Sequence, residues 1–200
     1  EVAQIVEAWE RAHAQARCEL MTVVGDAGVG KSRLVAEALA AVEARAVRGR
    51  CLPYGEGITY WPVVEVVKQL EALPSDPVAE AAMRALLGES NVGTSGDEIA
   101  WAFRKLLEEQ APLVVVFDDI QWGDETFLDL VESTALLSAG APLLLLCMAR
   151  PDLVERRPGW PGTLRLKPLP PQQADALIGD AVPGELRARI AHAAGGNPLF

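Results

Sequence analysis

The sequence is short of the residues that build metal centres and crosslinked scaffolds. It has three cysteines, Cys18, Cys51 and Cys147, and two histidines, His13 and His192, with no C-x-x-C pair and no Cys/His spacing of a zinc site. A disulfide framework and a structural zinc are excluded on that pattern, and the expectation is reduced core thiols in a reducing compartment, the cytoplasm. Basic residues are also in the minority, 18 Lys and Arg against 28 Asp and Glu, for a net charge of −10. A nucleic-acid surface must displace phosphate counterions with a basic patch, so no direct contact of this segment with DNA or RNA is expected. The longest apolar run, residues 142–149, is too short to cross a bilayer, and no charged-then-apolar signal opens the chain. The first residue is Glu1 and not Met, which makes a piece of a longer protein the expectation.

What is present is a folded composition, with 50% hydrophobic and 23% charged residues. Such a chain can bury the core of one α/β domain with a small helical appendage. Its organising stretch is GDAGVGKS, residues 25–32, between the apolar run LMTVV and the helical pattern RLVAEALAAVEA. Strand, glycine-rich loop and helix in that order match the phosphate-binding spacing G-x-x-x-x-G-K-[ST]. Gly25, Gly28 and Gly30 open backbone conformations in which successive N–H groups point at phosphate oxygens. Lys31 supplies a point charge for the β- and γ-phosphates, and Ser32 a hydroxyl for Mg²⁺. Asp26, Ala27, Val29 and Arg33 complete the candidate nucleotide-binding stretch.

The second informative stretch is PLVVVFDD. Five apolar residues from Leu113 to Phe117 have the composition of a strand buried on both faces of a parallel sheet. The carboxylates at its end are costly there unless solvent or a cation meets them. Beside a phosphate loop they form a Walker B pair, with Asp118 toward Mg²⁺ and Asp119 as the catalytic carboxylate that orients or polarises water. A strand running out into a solvated acidic turn is the plainer alternative. A third apolar strand ends at Arg150, which has two readings: contact with a γ-phosphate, or an ion pair with Asp118, Asp119 or Asp152.

Elsewhere the pattern predicts an amphipathic helix over 1–17 and a strand over 46–52. Helices follow from Trp61-Pro62 to Leu70, over 78–87, over 98–110 capped by Asp97, and after Gly123-Asp124. Tyr54, Tyr60 and Trp61 read as a cluster packing a loop on the core or lining a pocket. Residues 151–161 read as loop and 163–166 as a last strand. The tail reads as two helices, 171–180 and 183–194, ending in GGNPLF. The fold class expected is an α/β P-loop NTPase: a parallel sheet of about five strands flanked by helices, with a strand inserted between the two motif strands. Residues 1–168 form its nucleotide-binding core, and residues 169–200 start a helical lid subdomain.

The segments VVGDAGVGKSRLVAEAL, RCLPYGEGITYWPVVEVV, VVVFDDIQWGDE, LLLLCMARPD and AAGGNPLF together resemble the bacterial STAND-type, AAA-16-like regulatory ATPases. Those modules accompany nucleotide-cyclase domains or LuxR-type regulators in large signalling proteins. The loop is generic, whereas DDIQWGD and GNPLF are more specific to the group. The resemblance implies ATP or ADP and Mg²⁺ as ligands, Lys31, Asp119 and Arg150 as catalytic residues, and Ser32 and Asp118 as metal residues. It makes Gly196 and Pro198 the GxP motif at the nucleotide. It also implies output and sensor domains in the same longer chain and nucleotide-dependent self-association. The function expected is a slowly hydrolysing ATPase switch in signal transduction or transcription regulation. The alternatives are a non-catalytic nucleotide-binding interaction module and a P-loop small-molecule kinase, for which no arginine-rich lid is visible.

Overall fold

The computed structural model describes residues 1–53, 59–90, 93–170, 172–173, 186, 189–190 and 193–198. Five strands, β1 (Cys18–Val24), β2 (Arg45–Arg50), β3 (Leu113–Asp118), β4 (Leu143–Ala149) and β5 (Thr163–Arg165), form one sheet in the order β2-β3-β4-β1-β5. Every pairing between them is parallel. β4 lies between the strand that feeds the glycine-rich loop and the strand that ends in the two carboxylates, which is the inserted strand that the sequence predicts. Leu113 to Phe117 and Leu143 to Ala149 are at most 1% exposed, as continuous apolar runs in the middle of a parallel sheet should be.

Alternation along the central strands sorts the helices onto two faces. Val114, Val116, Leu144, Leu146 and Met148 pack with Ile5, Ala8 and Trp9 of α1 (Val2–Gln15) and Val35 and Ala38 of α2 (Lys31–Ala41). The opposite residues, Val115, Phe117, Leu145 and Cys147 among them, pack under α3 (Trp61–Leu70), α4 (Pro77–Leu86), α5 (Gly96–Gln110) and α6 (Glu125–Leu137). His13 is an exposed residue of α1 stacked at an angle on Trp9. Among the described residues all three cysteines are free, and burial pushes the thiols of Cys18 and Cys51 up to about 12. No helix among the described residues is long and apolar enough to cross a membrane.

Two local expectations are corrected. α5 starts from Ser95 and not Asp97: the Ser95 hydroxyl accepts from the Glu98 N–H, and the Glu98 carboxylate accepts from the Ser95 N–H at 2.7 Å. That reciprocal capping satisfies two helix-end donors, which a cap two residues later would leave open. Residues Pro151–Arg156, expected as loop, form a short helix, α7, with Arg150 as its N-cap residue. Proline at the first helical position lacks only an N–H that would be unpaired anyway, so here it starts a helix. Tyr60 is half-buried against the core and Trp61 is 40% exposed, whereas Tyr54 lies outside the described residues. The helices expected over 171–180 and 183–194 also lie largely outside them.

α3 lies along the free edge of β2. The Arg48 N–H donates to Gln69 Oε1 at 2.9 Å while the Gln69 amide donates back to the Arg48 carbonyl, and the Arg50 N–H donates to Glu65 Oε2 at 2.6 Å. The approach requires glycine at position 49, where a Cβ would sit 2.3 Å from the Pro62 carbonyl oxygen. Gly49→Ala must therefore push α3 off the strand. It is expected to cost about 1–3 kcal/mol in urea unfolding, with a Tm lowered by roughly 2–4 °C per kcal/mol.

Candidate nucleotide-binding site

Because the strands are parallel, their carboxyl ends share one edge of the sheet. Val24 pairs with Ala149 and Arg50 with Asp118, so the residues that follow β1, β3 and β4 meet the end of β2 there. They enclose a cleft of about 420 Å³ lined by Ala27, Gly28, Gly30, Lys31, Ser32, Arg33, Arg50, Asp118, Asp119 and Arg150. Most of the residues singled out in the sequence come together in it.

The loop is shaped for close approach. Gly28 and Gly30 have φ of 82° and 105°, in the left-handed region where a side chain is strained. Gly30 is also the N-cap residue of α2 and offers no side chain to the first amides of the helix, leaving them toward the cleft. A Cβ on Gly25 would meet Val29 Cγ1 at 2.8 Å and the Leu166 carbonyl at 3.1 Å, so the loop and the residue that follows β5 pack without space there. Val29 itself is buried and anchors the loop to the core, while Asp26 is exposed. Lys31 Nζ donates to the carbonyls of Gly25 (2.7 Å) and Asp26 (2.9 Å). Burial pulls the Lys31 ammonium below its ordinary range, and Asp119 pulls the other way. Ser32 is exposed in the first turn of α2, and Arg33 pairs with Glu37 one turn on.

Asp118 ends β3 half-buried, and burial, then the neighbouring Asp119, raises its carboxyl above the usual range. Asp119 takes the left-handed conformation, φ 54°, which turns the chain into the 3-10 helix Ile120–Trp122. Its Oδ2 accepts from Arg50 Nε (3.2 Å) and Nη2 (2.8 Å), and its Oδ1 from Gln121 Nε2 (3.1 Å). Burial opposes the charge of Asp119, but the Arg50 and Gln121 hydrogen bonds outweigh it and hold the carboxyl below its ordinary value. The guanidinium of Arg150 lies 5.6 Å from the centre of the Trp122 ring. Of the two readings of Arg150, the ion pair is not found among the described residues. Instead the side chain lines the cleft beside Asp119.

The GNP turn also reaches the loop. Asn197 Nδ2 donates to the Ala27 carbonyl at 2.9 Å, and the Gly196 carbonyl accepts from the Leu169 N–H at 2.8 Å. Gly196 has φ 79°, and a Cβ there would lie 2.2 Å from the Leu169 carbonyl; Pro198 follows as an exposed residue of the same turn. Sequence reasoning missed Arg50. The available signal was an arginine at the carboxyl end of a strand, and its meaning depends on β2 being the neighbour of β3.

The donor set fits a nucleoside polyphosphate. The amides at the start of α2 and the cations of Lys31, Arg50 and Arg150 meet the phosphate requirement, with the Ser32 hydroxyl and Asp118 carboxylate beside them for a hard divalent cation.

A family profile described as the AAA ATPase domain matches residues 1–146. No curated protein matches the sequence at a significant level. Among solved structures, a chain of Drosophila ORC, solved bound to DNA, is 17% identical with a TM-score of 0.63, over 96% of this chain and 49% of its own. Cdc6p of Pyrobaculum aerophilum is also 17% identical, TM-score 0.59, over 88% of this chain and 48% of its own. A Walker-type ATPase of Pyrococcus abyssi is 15% identical, TM-score 0.53, over 99% of this chain and 64% of its own. At these identities the likeness is one of fold, and the chain spans about half the length of the ORC and Cdc6p chains. With the glycine-rich loop and the acidic strand end both inside the matched residues, and with a match over well more than half of the sequence, the chain belongs to the AAA ATPase domain family.

Proposed function

We propose that the chain is an ATP-binding and slowly ATP-hydrolysing switch module of a longer regulatory protein of the STAND type. The observation that carries this reading is the single cleft in which Lys31, Ser32, Asp118, Asp119, Arg50 and Arg150 converge around the glycine loop. The loop amides and Lys31 hold the phosphates of ATP, and Ser32 and Asp118 hold Mg²⁺. When bound, Mg²⁺ neutralises phosphate charge and lowers the cost of bringing a nucleophile to the terminal phosphorus. Asp119, kept ionised, accepts a hydrogen bond from the attacking water and fixes its direction. Arg150 faces the terminal phosphate from the end of β4.

Residues 1–168 act as the nucleotide core and residues 169–200 begin a lid. The Asn197 contact with Ala27 supports a lid whose position follows the loop. A switch further requires that the open and closed arrangements differ in their affinity for ATP and ADP, since equal binding shifts nothing. Its partners are other domains of the same chain and, with nucleotide bound, further copies of it, in the cytoplasm.

One observation favours the second reading, a nucleotide-binding interaction module without turnover. Arg50 takes two acceptor positions of the Asp119 carboxylate and Gln121 a third, so only one position on Oδ1 is left for a water. Denaturing the purified protein and identifying what it releases tests the binding. ADP near one equivalent from the parent chain and none from Lys31→Ala supports a closed resting switch, whereas a parent chain that is empty and binds no added ATP overturns it. Single-turnover hydrolysis then separates the readings, because an interaction module binds ATP and leaves it intact.

A further inference from the structure

Gln121 is a buried polar side chain, 2% exposed, that the nucleotide chemistry above does not require. Its Nε2 donates to Asp119 Oδ1 at 3.1 Å and its Oε1 accepts from the Arg150 N–H at 3.1 Å. An ionised carboxylate only accepts and a peptide N–H only donates, so these neighbours dictate both ends of the amide. Glutamate at this position could serve Arg150 but not Asp119, and methionine neither. The turn that carries Gln121 is fixed from behind, since Arg156 of α7 donates to the Gln121 carbonyl (3.1 Å) and to the Gly123 carbonyl (2.9 Å). The other partner of Asp119, Arg50, has a side chain 63% exposed and is therefore free to leave, whereas Gln121 is not.

We infer that Gln121 is a positioning residue that couples the Asp119 carboxylate to the β4–α7 corner at Arg150, so that a shift of one is transmitted to the other. In the part that concerns hydrolysis this rests on the ATPase reading above. The Asp119 carboxylate is held by Arg50 on one oxygen and Gln121 on the other, and of the two the buried amide is the fixed holder.

The coupling is measurable without nucleotide, through the backbone amide resonance of Arg150. Asp119→Gly, which removes the acceptor of the Gln121 amide and suits the φ of 54° at this position, is expected to move that resonance in the parent chain, and to move it about fivefold less or not at all in the Gln121→Met background. An equal movement in both backgrounds overturns the inference. Gln121→Glu keeps the acceptor of Arg150 and loses the donor to Asp119, so it supplies a second background with the same expectation. In single turnover, Gln121→Glu is expected to lower the rate of ATP hydrolysis by about 10–100-fold with ATP affinity changed by less than about threefold. Equal losses in rate and affinity, or no loss in rate, overturn the catalytic part. A parent chain without turnover defeats the ATPase reading alone, and the resonance cycle still decides the coupling.

Discussion

Replacing Asp119 by Asn is expected to lower the single-turnover rate of ATP hydrolysis by about 10²–10⁴-fold, the usual weight of a positioned acid–base group. That range corresponds to roughly 2.7–5.4 kcal/mol of activation free energy. The substitution is nearly isosteric and keeps an oxygen for the Gln121 amide, but its NH₂ cannot accept from Arg50, so the ion pair at 2.8 Å is lost. The cleft then gains one net positive charge and a released guanidinium. Neither change weakens phosphate binding, so ATP affinity is expected to stay within about threefold of the parent or to improve. Rapid-quench hydrolysis beside a fluorescence titration checks both quantities. An unchanged rate would remove Asp119 from the chemistry and leave the interaction-module reading in possession of the site.

Lys31→Ala is expected to act on the opposite quantity. It deletes a charge-assisted phosphate contact worth about 1.5–3 kcal/mol, an affinity loss of roughly ten- to a hundredfold. Arg50 and Arg150 remain in the cleft and bound the loss. The variant also removes two hydrogen bonds that brace the loop carbonyls of Gly25 and Asp26. Asp26 is exposed, so water replaces its lost partner, whereas Gly25 is buried and its carbonyl loses a part-buried donor, so the fold is expected to lose about 1–3 kcal/mol. Nucleotide titration and thermal unfolding of the same sample separate these effects. A large fall in Tm with unchanged affinity would assign Lys31 a structural part only.

Most of this site was legible because its motifs are local. The glycine loop announces its own backbone conformation, and five apolar residues before Asp118 announce both a buried strand and the cost of the charge at its end. The GNP turn was legible only through the family likeness, because no local rule brings residue 197 to the Ala27 carbonyl. Arg50 and Gln121 were not legible at all. An arginine in RGR looks like any solvated edge residue, and its pairing with Asp119 follows from the register of β2 against β3 across more than sixty residues of chain. Gln121 reads as a polar turn residue until the β4–α7 corner closes over it. Two errors were of another kind. The Ser95 capping box and the proline-led start of α7 were local signals, and each lost to a competing local rule: an acidic residue as cap, and proline as breaker.

The side chains of α3 along β2 have a consequence for how this molecule meets other molecules. An open strand edge offers alternating donors and acceptors to any passing chain, and that is how sheets grow between proteins. Here the Gln69 amide imitates one rung of a missing strand, giving and taking a hydrogen bond at Arg48, and the Glu65 carboxylate takes the N–H of Arg50. The edge is thus blocked by a helix that is itself part of the core, and a second copy cannot extend the sheet through β2 without first lifting α3. On this side, contact with another chain is left to helix surfaces and the rim of the cleft.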